Sequence, residues 1–136
     1  MSTEADVVQE FGPPERVWDE PDGSRTLEYN RQPAGVRNYM ITVGPDGIMT
    51  ALRQVLTPDS FTRIQPGMDE LAVRRALGRP AQQVFYELAQ EHSWRWNFLE
   101  PPSDRKAFYV VFGTDRRVLR TEIGPDPEGP DMRGGA

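Results

Sequence analysis

The chain has 136 residues, which is enough for one domain of ordinary size or for two small units that share a core. Its 21 acidic residues outnumber its 16 basic residues, which argues against a general binder of nucleic acid or anionic membrane, because such a binder needs a positive field. The chain contains no cysteine, so disulfides, thiolate metal sites and cysteine nucleophiles are excluded.

Residues 3–55 predict a short helix followed by strands. Thr3 is a suitable cap for the helix, and Gly12 suits the left-handed position at which the helix ends. Beyond Gly12 the apolar residues recur at every second position, which is typical of strands. The expected strands are 17–18, 27–29, 37–43 and 48–55, joined by turns at 21–24 and 44–47.

Residues 57–123 predict two helices and a second set of strands. A helix is expected from Pro58 to Ile64, and another begins at Asp69 and ends at Gly78. The strands follow at 84–88, 94–98, 106–112 and 117–123. The segment 124–136 is rich in Pro and Gly and almost without apolar residues, so it is predicted to be disordered.

The two halves of the chain repeat one pattern. Gly12 corresponds to Gly78, Tyr29 to Trp96, and the turn glycine Gly44 to Gly113. A repeat of this length predicts an α+β fold of two tandem units, each a helix with an antiparallel meander. The predicted units are residues 1–56 and 57–123, followed by the tail 124–136.

No group of residues predicts catalysis, a cofactor or a metal site. His92 is the only histidine, and its neighbours Glu91 and Ser93 point to the opposite face of a strand, so no local proton relay forms. Walker, G-x-G-x-x-G and G-x-S-x-G sequences are absent. The chain is therefore expected not to be an enzyme.

Two clusters of charged residues are interpreted as solvated surface. The acidic residues 15, 19, 20 and 22 are interpreted as a solvated hairpin rather than a cation site, because they lack EF-hand spacing. Arg74, Arg75 and Arg79 are interpreted as a solvated helix face. Together with Trp94 and Trp96 they also suggest single-strand nucleic acid binding, but the acidic balance argues against it.

The second half carries a set of short motifs that resembles a known family. These are Phe61-Thr-Arg-Ile-Gln-Pro-Gly67-Met68, then Leu77-Gly-Arg-Pro80, Trp94-x-Trp96 and the hairpin from Val110 to Val118. The pattern resembles the SmpA/OmlA family, the BamE-like lipoproteins of outer-membrane assembly. It departs from the family at Arg116-Arg117, where the family usually has a glycine in the turn.

The first half resembles the same family more loosely, through Phe11-Gly12-x-Pro14 and the loop 29–35. In the family this loop belongs to the surface that meets partner proteins or lipid. Trp94 and Trp96 predict either core or an aromatic binding surface. The candidate partner-binding residues are Arg31, Gln32, Pro33, Gly35, Trp94 and Trp96.

The resemblance implies a non-enzymatic scaffold or adaptor in the periplasm that binds another envelope protein, with a role in outer-membrane protein assembly or envelope integrity. It also implies an outer-membrane lipid anchor, whose export signal and cysteine are missing from this chain. Two such units in one chain also resemble β-lactamase inhibitor protein. The alternative function is therefore an inhibitor or ligand-binding module that uses the groove between the units.

Overall fold

The computed structural model describes residues 1–31 and 35–127. The elements, in chain order, are α1 (Glu4–Phe11), β1 (Arg16–Asp19), β2 (Arg25–Asn30), β3 (Asn38–Val43), β4 (Met49–Gln54), α2 (Pro58–Phe61), α3 (Glu70–Leu77), β5 (Gln82–Tyr86), β6 (Glu91–Glu100), β7 (Asp104–Phe112) and β8 (Val118–Pro125). The predicted α+β fold class is confirmed. A membrane-spanning helix would need more length and more apolar character than any described helix has.

The strands form two antiparallel sheets, each with its strands in sequential order. The first sheet contains β1–β4 and the second contains β5–β8. The central pair of the first sheet places Tyr29 opposite Tyr39, and that of the second sheet places Trp96 opposite Phe108. In both sheets the register shifts once, in the strand before the last turn.

Helix α1 begins and ends where its sequence predicts. The Thr3 hydroxyl accepts from the Asp6 amide at 3.2 Å and the Asp6 carboxylate accepts from the Thr3 amide at 3.0 Å, which is a complete capping box. Gly12 ends the helix with φ 85°, a conformation that favours glycine. Val7 then packs on one face of the first sheet, in a cluster with Leu27, Tyr29, Ile41 and Val43.

Helix α3 is built by the same local chemistry and covers the second sheet. The Asp69 carboxylate accepts from the Ala72 amide at 2.8 Å, and Gly78 ends the helix with φ 82°. Its Val73 and Leu77 are fully buried. They join the main core, which also contains Trp94, Trp96, Phe98, Phe108, Val110 and Phe112.

One hydrogen bond occurs in equivalent places in the two halves. The Tyr29 hydroxyl donates to the Gly12 carbonyl at 2.9 Å, and the Trp96 indole N–H donates to the Gly78 carbonyl at 3.1 Å. In each case an aromatic residue on the second strand of a sheet binds the carbonyl just past a helix. The bond satisfies the polar tip of a buried ring and fixes the helix end over the sheet.

Helix α2 is shorter than its sequence suggests. Thr57 caps it as expected, but it ends at Phe61 rather than at Ile64. Tertiary packing accounts for this, because the Phe61 ring stacks on Phe108 with 4.0 Å between centroids and Ile64 is also buried in the core. The chain turns after Phe61 to bring both side chains inward.

A buried carboxylate joins the first sheet to helix α3. Glu28 lies on β2 and its side chain is fully buried. Its carboxylate accepts from the Arg79 amide at 2.9 Å and the Trp18 indole at 3.3 Å, and it forms an ion pair with Arg74 at 3.4 Å. Asn38, on β3, donates to the Leu77 carbonyl at 2.9 Å.

Two more ion pairs surround this junction. Arg75 binds Glu20 at 2.6 Å and Arg79 binds Glu15 at 2.5 Å. The Arg75 guanidinium also lies 4.7 Å from the centre of the Trp18 ring. These side chains are partly exposed, as the sequence predicts for a solvated face, but they also form ion pairs across the junction, which the sequence did not predict.

Ordered structure continues past the boundary expected at Ile123. Strand β8 reaches Pro125, and the Asp126 carboxylate is buried and pairs with Arg105 at 2.9 Å. The start of the predicted tail is thus part of the fold. The rest of it, residues 128–136, lies outside the described residues.

We predict that Glu28→Ala lowers the free energy of unfolding by about 3 kcal/mol, because it leaves the Arg79 amide, the Trp18 indole and Arg74 without their acceptor. Glu15→Gln, which weakens an exposed pair in the same junction, is the control and should cost about 0.5 kcal/mol. Urea unfolding measures both. Equal effects of the two substitutions would show that the buried carboxylate has no special role.

We predict that Tyr29→Phe lowers the free energy of unfolding by about 1 kcal/mol, because it removes the bond to the Gly12 carbonyl without changing the packing of the ring. Burial also raises the pKa of Tyr29 above its usual value of 10.0. The parent should therefore lose stability as the pH rises from 10.0 towards the raised pKa, and this contribution should be missing in the variant. The control is Tyr86→Phe at a half-exposed position; a loss as large there would contradict the assignment.

Candidate partner-binding surface

Trp94 and Trp96 lie in the core. Trp94 is 7% exposed and Trp96 is fully buried beneath helix α3. Alternation along β6 places both on the face that α3 covers, where each buries a large apolar area. The prediction that they belong to the core is therefore correct, and the alternative of an aromatic binding surface is wrong. Neither tryptophan can be part of the partner-binding site.

Arg31 and Gly35 flank the loop that follows β2. Arg31 is exposed, and its amide donates to the Asn38 side chain at 3.2 Å. The Gly35 amide donates to the Arg31 carbonyl at 2.5 Å, and a Cβ on Gly35 would meet that carbonyl at the same distance, so only glycine fits. Gln32 and Pro33, the other candidates in this loop, lie outside the described residues.

The ring of His92 is positioned by an arginine and an aromatic residue. The Arg116 guanidinium lies 3.0 and 3.1 Å from the two ring nitrogens of His92, and it also pairs with Glu70 at 2.5 Å. Phe85 packs on the other side, with ring centroids 4.5 Å apart. A general base needs a nucleophile or a substrate proton beside its ring, and the contacting residues Arg116 and Phe85 supply neither.

Arg116 adopts a backbone conformation that is unusual for its residue type. Its φ is 63°, in a turn where the first half of the chain has Gly47 with φ 83°. This is the turn at which the sequence departs from the SmpA/OmlA pattern that it resembles. An arginine costs more than glycine in this conformation, so the contacts of Arg116 with Glu70 and His92 offset part of the cost.

The acidic residues of the first hairpin form no metal site. Among residues 1–31 and 35–127, no cluster of His, Asp and Glu could hold an ion. The Asp22 carboxylate instead accepts from the Ser24 hydroxyl and amide, and these bonds lower the pKa of Asp22. This is the turn chemistry that the sequence predicts.

The strongest candidate surface was not predicted. It is the turn between β5 and β6 together with the outer face of the second sheet, which we call the hairpin surface. Leu88 at the tip is fully exposed and Tyr86 is 55% exposed. Beside them is a depression of roughly 550 Å³. It is lined by Tyr86, Leu88, Ala89, Glu91, Ser93, Tyr109, Val111, Arg120 and Glu122.

The polar rim of the hairpin surface is a set of three linked charges. The Arg120 guanidinium donates twice to the Glu91 carboxylate, at 3.0 Å each, and once to Glu122 at 2.9 Å. The hydrogen bonds from Arg120 lower the pKa of Glu91 below its ordinary value. An apolar floor with a fixed charged rim resembles the layout of a protein interface.

A second, smaller depression lies on the other side of strand β8. It has a volume of roughly 400 Å³ between helix α2 and the strand. Its apolar residues are Pro58, Phe61, Phe108 and Ile123. Strand β8 therefore separates two depressions, one on each face of the second sheet.

The sequence contained one signal for the hairpin surface. The segment 84–88 reads as a strand, but β5 ends at Tyr86 and Leu88 falls in the turn. Leu88 is fully exposed there, with the half-exposed Tyr86 beside it. Sequence periodicity alone does not place the strand end well enough to show this.

Three comparisons relate the chain to known proteins. No family model matches it, and no curated protein matches it. Among solved structures it is similar to a DUF4309 family protein, YjgB, from Bacillus subtilis. The sequences are 18% identical, the TM-score is 0.37, and the match covers 91% of this chain and 78% of that one.

We predict that Arg120→Gln raises the pKa of Glu91 towards its ordinary value near 4.5, because the hydrogen bonds that favour the carboxylate are lost. Because the pKa of Glu91 is lower in the folded state than in the unfolded state, its ion pair stabilises the fold above pH 4.5, and this stabilisation is lost as the pH falls through the folded-state pKa. The Arg120→Gln variant lacks this contribution, so its free energy of unfolding should fall less on acidification. Carbon-detected NMR titration of the Glu91 carboxyl measures the pKa. Arg53→Gln is the control, and a Glu91 titration that does not change in Arg120→Gln would disprove the assignment.

Proposed function

We propose that this protein is a non-enzymatic scaffold or adaptor that holds another protein on the hairpin surface. The observation that carries the proposal is the fully exposed Leu88, with the half-exposed Tyr86 beside it and an apolar depression behind them. Apolar side chains that project together next to a polar rim are typical of protein-binding sites. Tyrosine in particular is common among the residues that dominate binding energy.

The polar groups at this surface support binding rather than catalysis. Glu91 and Glu122 are the carboxylates that line the described depression, and both are ion-paired with Arg120. The pKa of Glu91 is lowered, which makes it a weaker base than an ordinary carboxylate. Ser93 lines the same depression but has no strong base to activate it.

We infer that the two halves, residues 1–56 and 57–123, are copies of one helix-plus-meander unit. Three features support this: the order of elements, the positive-φ glycine after each main helix, and the aromatic residue that binds the carbonyl of that glycine. An isolated bridge also links each helix cap to the last hairpin of its own half, from Thr3 to Ile48 and from Asp69 to Arg117. We propose that this arrangement is of the kind found in the BamE-like lipoproteins and in β-lactamase inhibitor protein, on the basis of the motif resemblance.

We propose that the partner is a protein of the bacterial envelope and that the role is in outer-membrane protein assembly or envelope integrity. The motif resemblance of residues 61–118 supports this. On this proposal the protein is periplasmic and is held at the outer membrane by a lipid anchor outside this chain. The gene sequence ahead of Met1 tests it: an export signal with a Leu-x-x-Cys site is expected, and a plain signal without that cysteine would favour a secreted inhibitor.

The alternative, an inhibitor or ligand-binding module that uses the groove between the units, has less support. Helix α3 and its arginines already occupy the junction at Glu28 and Asn38. An inhibition assay against β-lactamases tests this alternative directly. Inhibition at stoichiometric concentration would replace the adaptor proposal.

We predict that Leu88→Glu abolishes capture of an envelope protein that the parent chain recovers from envelope extract. A charge at the centre of an apolar contact should weaken binding of the purified partner at least roughly tenfold. Leu52→Glu, on the edge of the first sheet at 44% exposure, is the matched control and should bind as the parent does. Calorimetry with the purified partner measures each affinity, and circular dichroism confirms that both variants fold.

Arg31→Glu with Gln32→Ala tests the loop that the sequence predicted. If this variant loses binding and Leu88→Glu keeps it, the partner contacts the loop and the hairpin surface is not the site. If no variant loses binding, neither surface carries the proposed function.

A further inference from the structure

Strand β8 is one edge of the second sheet and is exposed along most of its length. The five residues from Leu119 to Ile123 are all exposed. The start of the strand is already covered, because Val118 exchanges two backbone hydrogen bonds of 2.8 Å with Gly67 and Met68. Natural proteins usually protect such an edge, since its unpaired backbone groups can bind another strand.

The order of residues on this edge is complementary to itself. In an antiparallel pair with a second copy, centred on Thr121, Arg120 lies opposite Glu122 of the second copy. The same register brings Leu119 next to Ile123, and these are 48% and 54% exposed in the single chain. A two-fold axis makes every such contact twice.

The charges also disfavour the two neighbouring registers. An antiparallel pair centred on Arg120 would place two arginines opposite each other, and a pair centred on Glu122 would place two carboxylates opposite each other. Like charges at directly opposed positions are destabilising, whereas opposite charges stabilise. The edge strand β5 carries no charged residue, so its composition favours no register in this way.

We propose that the protein forms a two-fold dimer by antiparallel pairing of β8 with β8 of a second copy. The two second sheets then form one continuous sheet around Thr121. Arg120 of each copy, which is already paired with Glu91 and Glu122 of its own chain, lies opposite Glu122 of the other copy. The axis is perpendicular to the sheet, so both hairpin surfaces face the same side. A dimer of this kind presents two binding surfaces to one partner or to two copies of it. The pairing itself does not depend on the proposed function.

Sedimentation equilibrium over a range of concentrations tests the dimer. The parent is expected to associate reversibly into a dimer. Arg120→Glu and Glu122→Arg each turn two attractive contacts into repulsive ones and should each weaken association roughly tenfold or more. Arg53→Glu changes an arginine on the edge strand of the first sheet and should leave association unchanged.

Rescue distinguishes this register from general loss of structure. A mixture of Arg120→Glu with Glu122→Arg should form a heterodimer. Positions 120 and 122 are then both acidic in one chain and both basic in the other, so each opposed pair is attractive. The double variant R120E/E122R should recover the homodimer for the same reason. A parent that stays monomeric at every concentration, a dimer that survives both single substitutions, or a mixture that does not associate would each overturn the proposal.

Discussion

The structure depends on one buried carboxylate. Glu28 is fully buried, and it binds groups from its own sheet and from the end of helix α3. A buried charge is tolerated only when it is paired and hydrogen-bonded, and here an arginine, a backbone amide and an indole meet that requirement together. The groups that bind the carboxylate come from both halves of the chain. If the two halves separated, the carboxylate would therefore lose hydrogen bonds and its ion pair with Arg74. This fixes α3 between the sheets, with the α1 core on the opposite face of the first sheet.

The local elements could be predicted from the sequence because their causes are local. Caps at Thr3 and Asp69 and stops at Gly12 and Gly78 each depend on atoms within a few residues. The junction could not be predicted in this way. Arg74 and Glu28 are far apart in the chain, and nothing in either neighbourhood shows that they meet. The sequence does show acidic residues in the first half and arginines on helix α3. This separation is equally compatible with two solvated surfaces, so it does not predict the junction.

The candidate site shows the same division. Alternation along β6 placed Trp94 and Trp96 on one face, and that part was correct, but alternation does not say which face a helix will cover. The covering helix decides whether an aromatic row is core or surface. Leu88 presents the reverse problem. It reads as one more apolar strand residue until the end of β5 is known, and strand ends are what sequence patterns place least well.

The two sheets therefore have different roles. The first sheet packs against α1 on one face and against α3 on the other, so both faces of its central strands are committed to the fold. The second sheet packs against α3 on one face only, while its outer face carries the depression at Tyr109 and Val111. The two sheets therefore differ in their surroundings, because helix α3 lies between them and contacts both. The second sheet keeps an outer face and an edge strand exposed, and for this reason the proposed binding surface and the proposed dimer contact both lie on it.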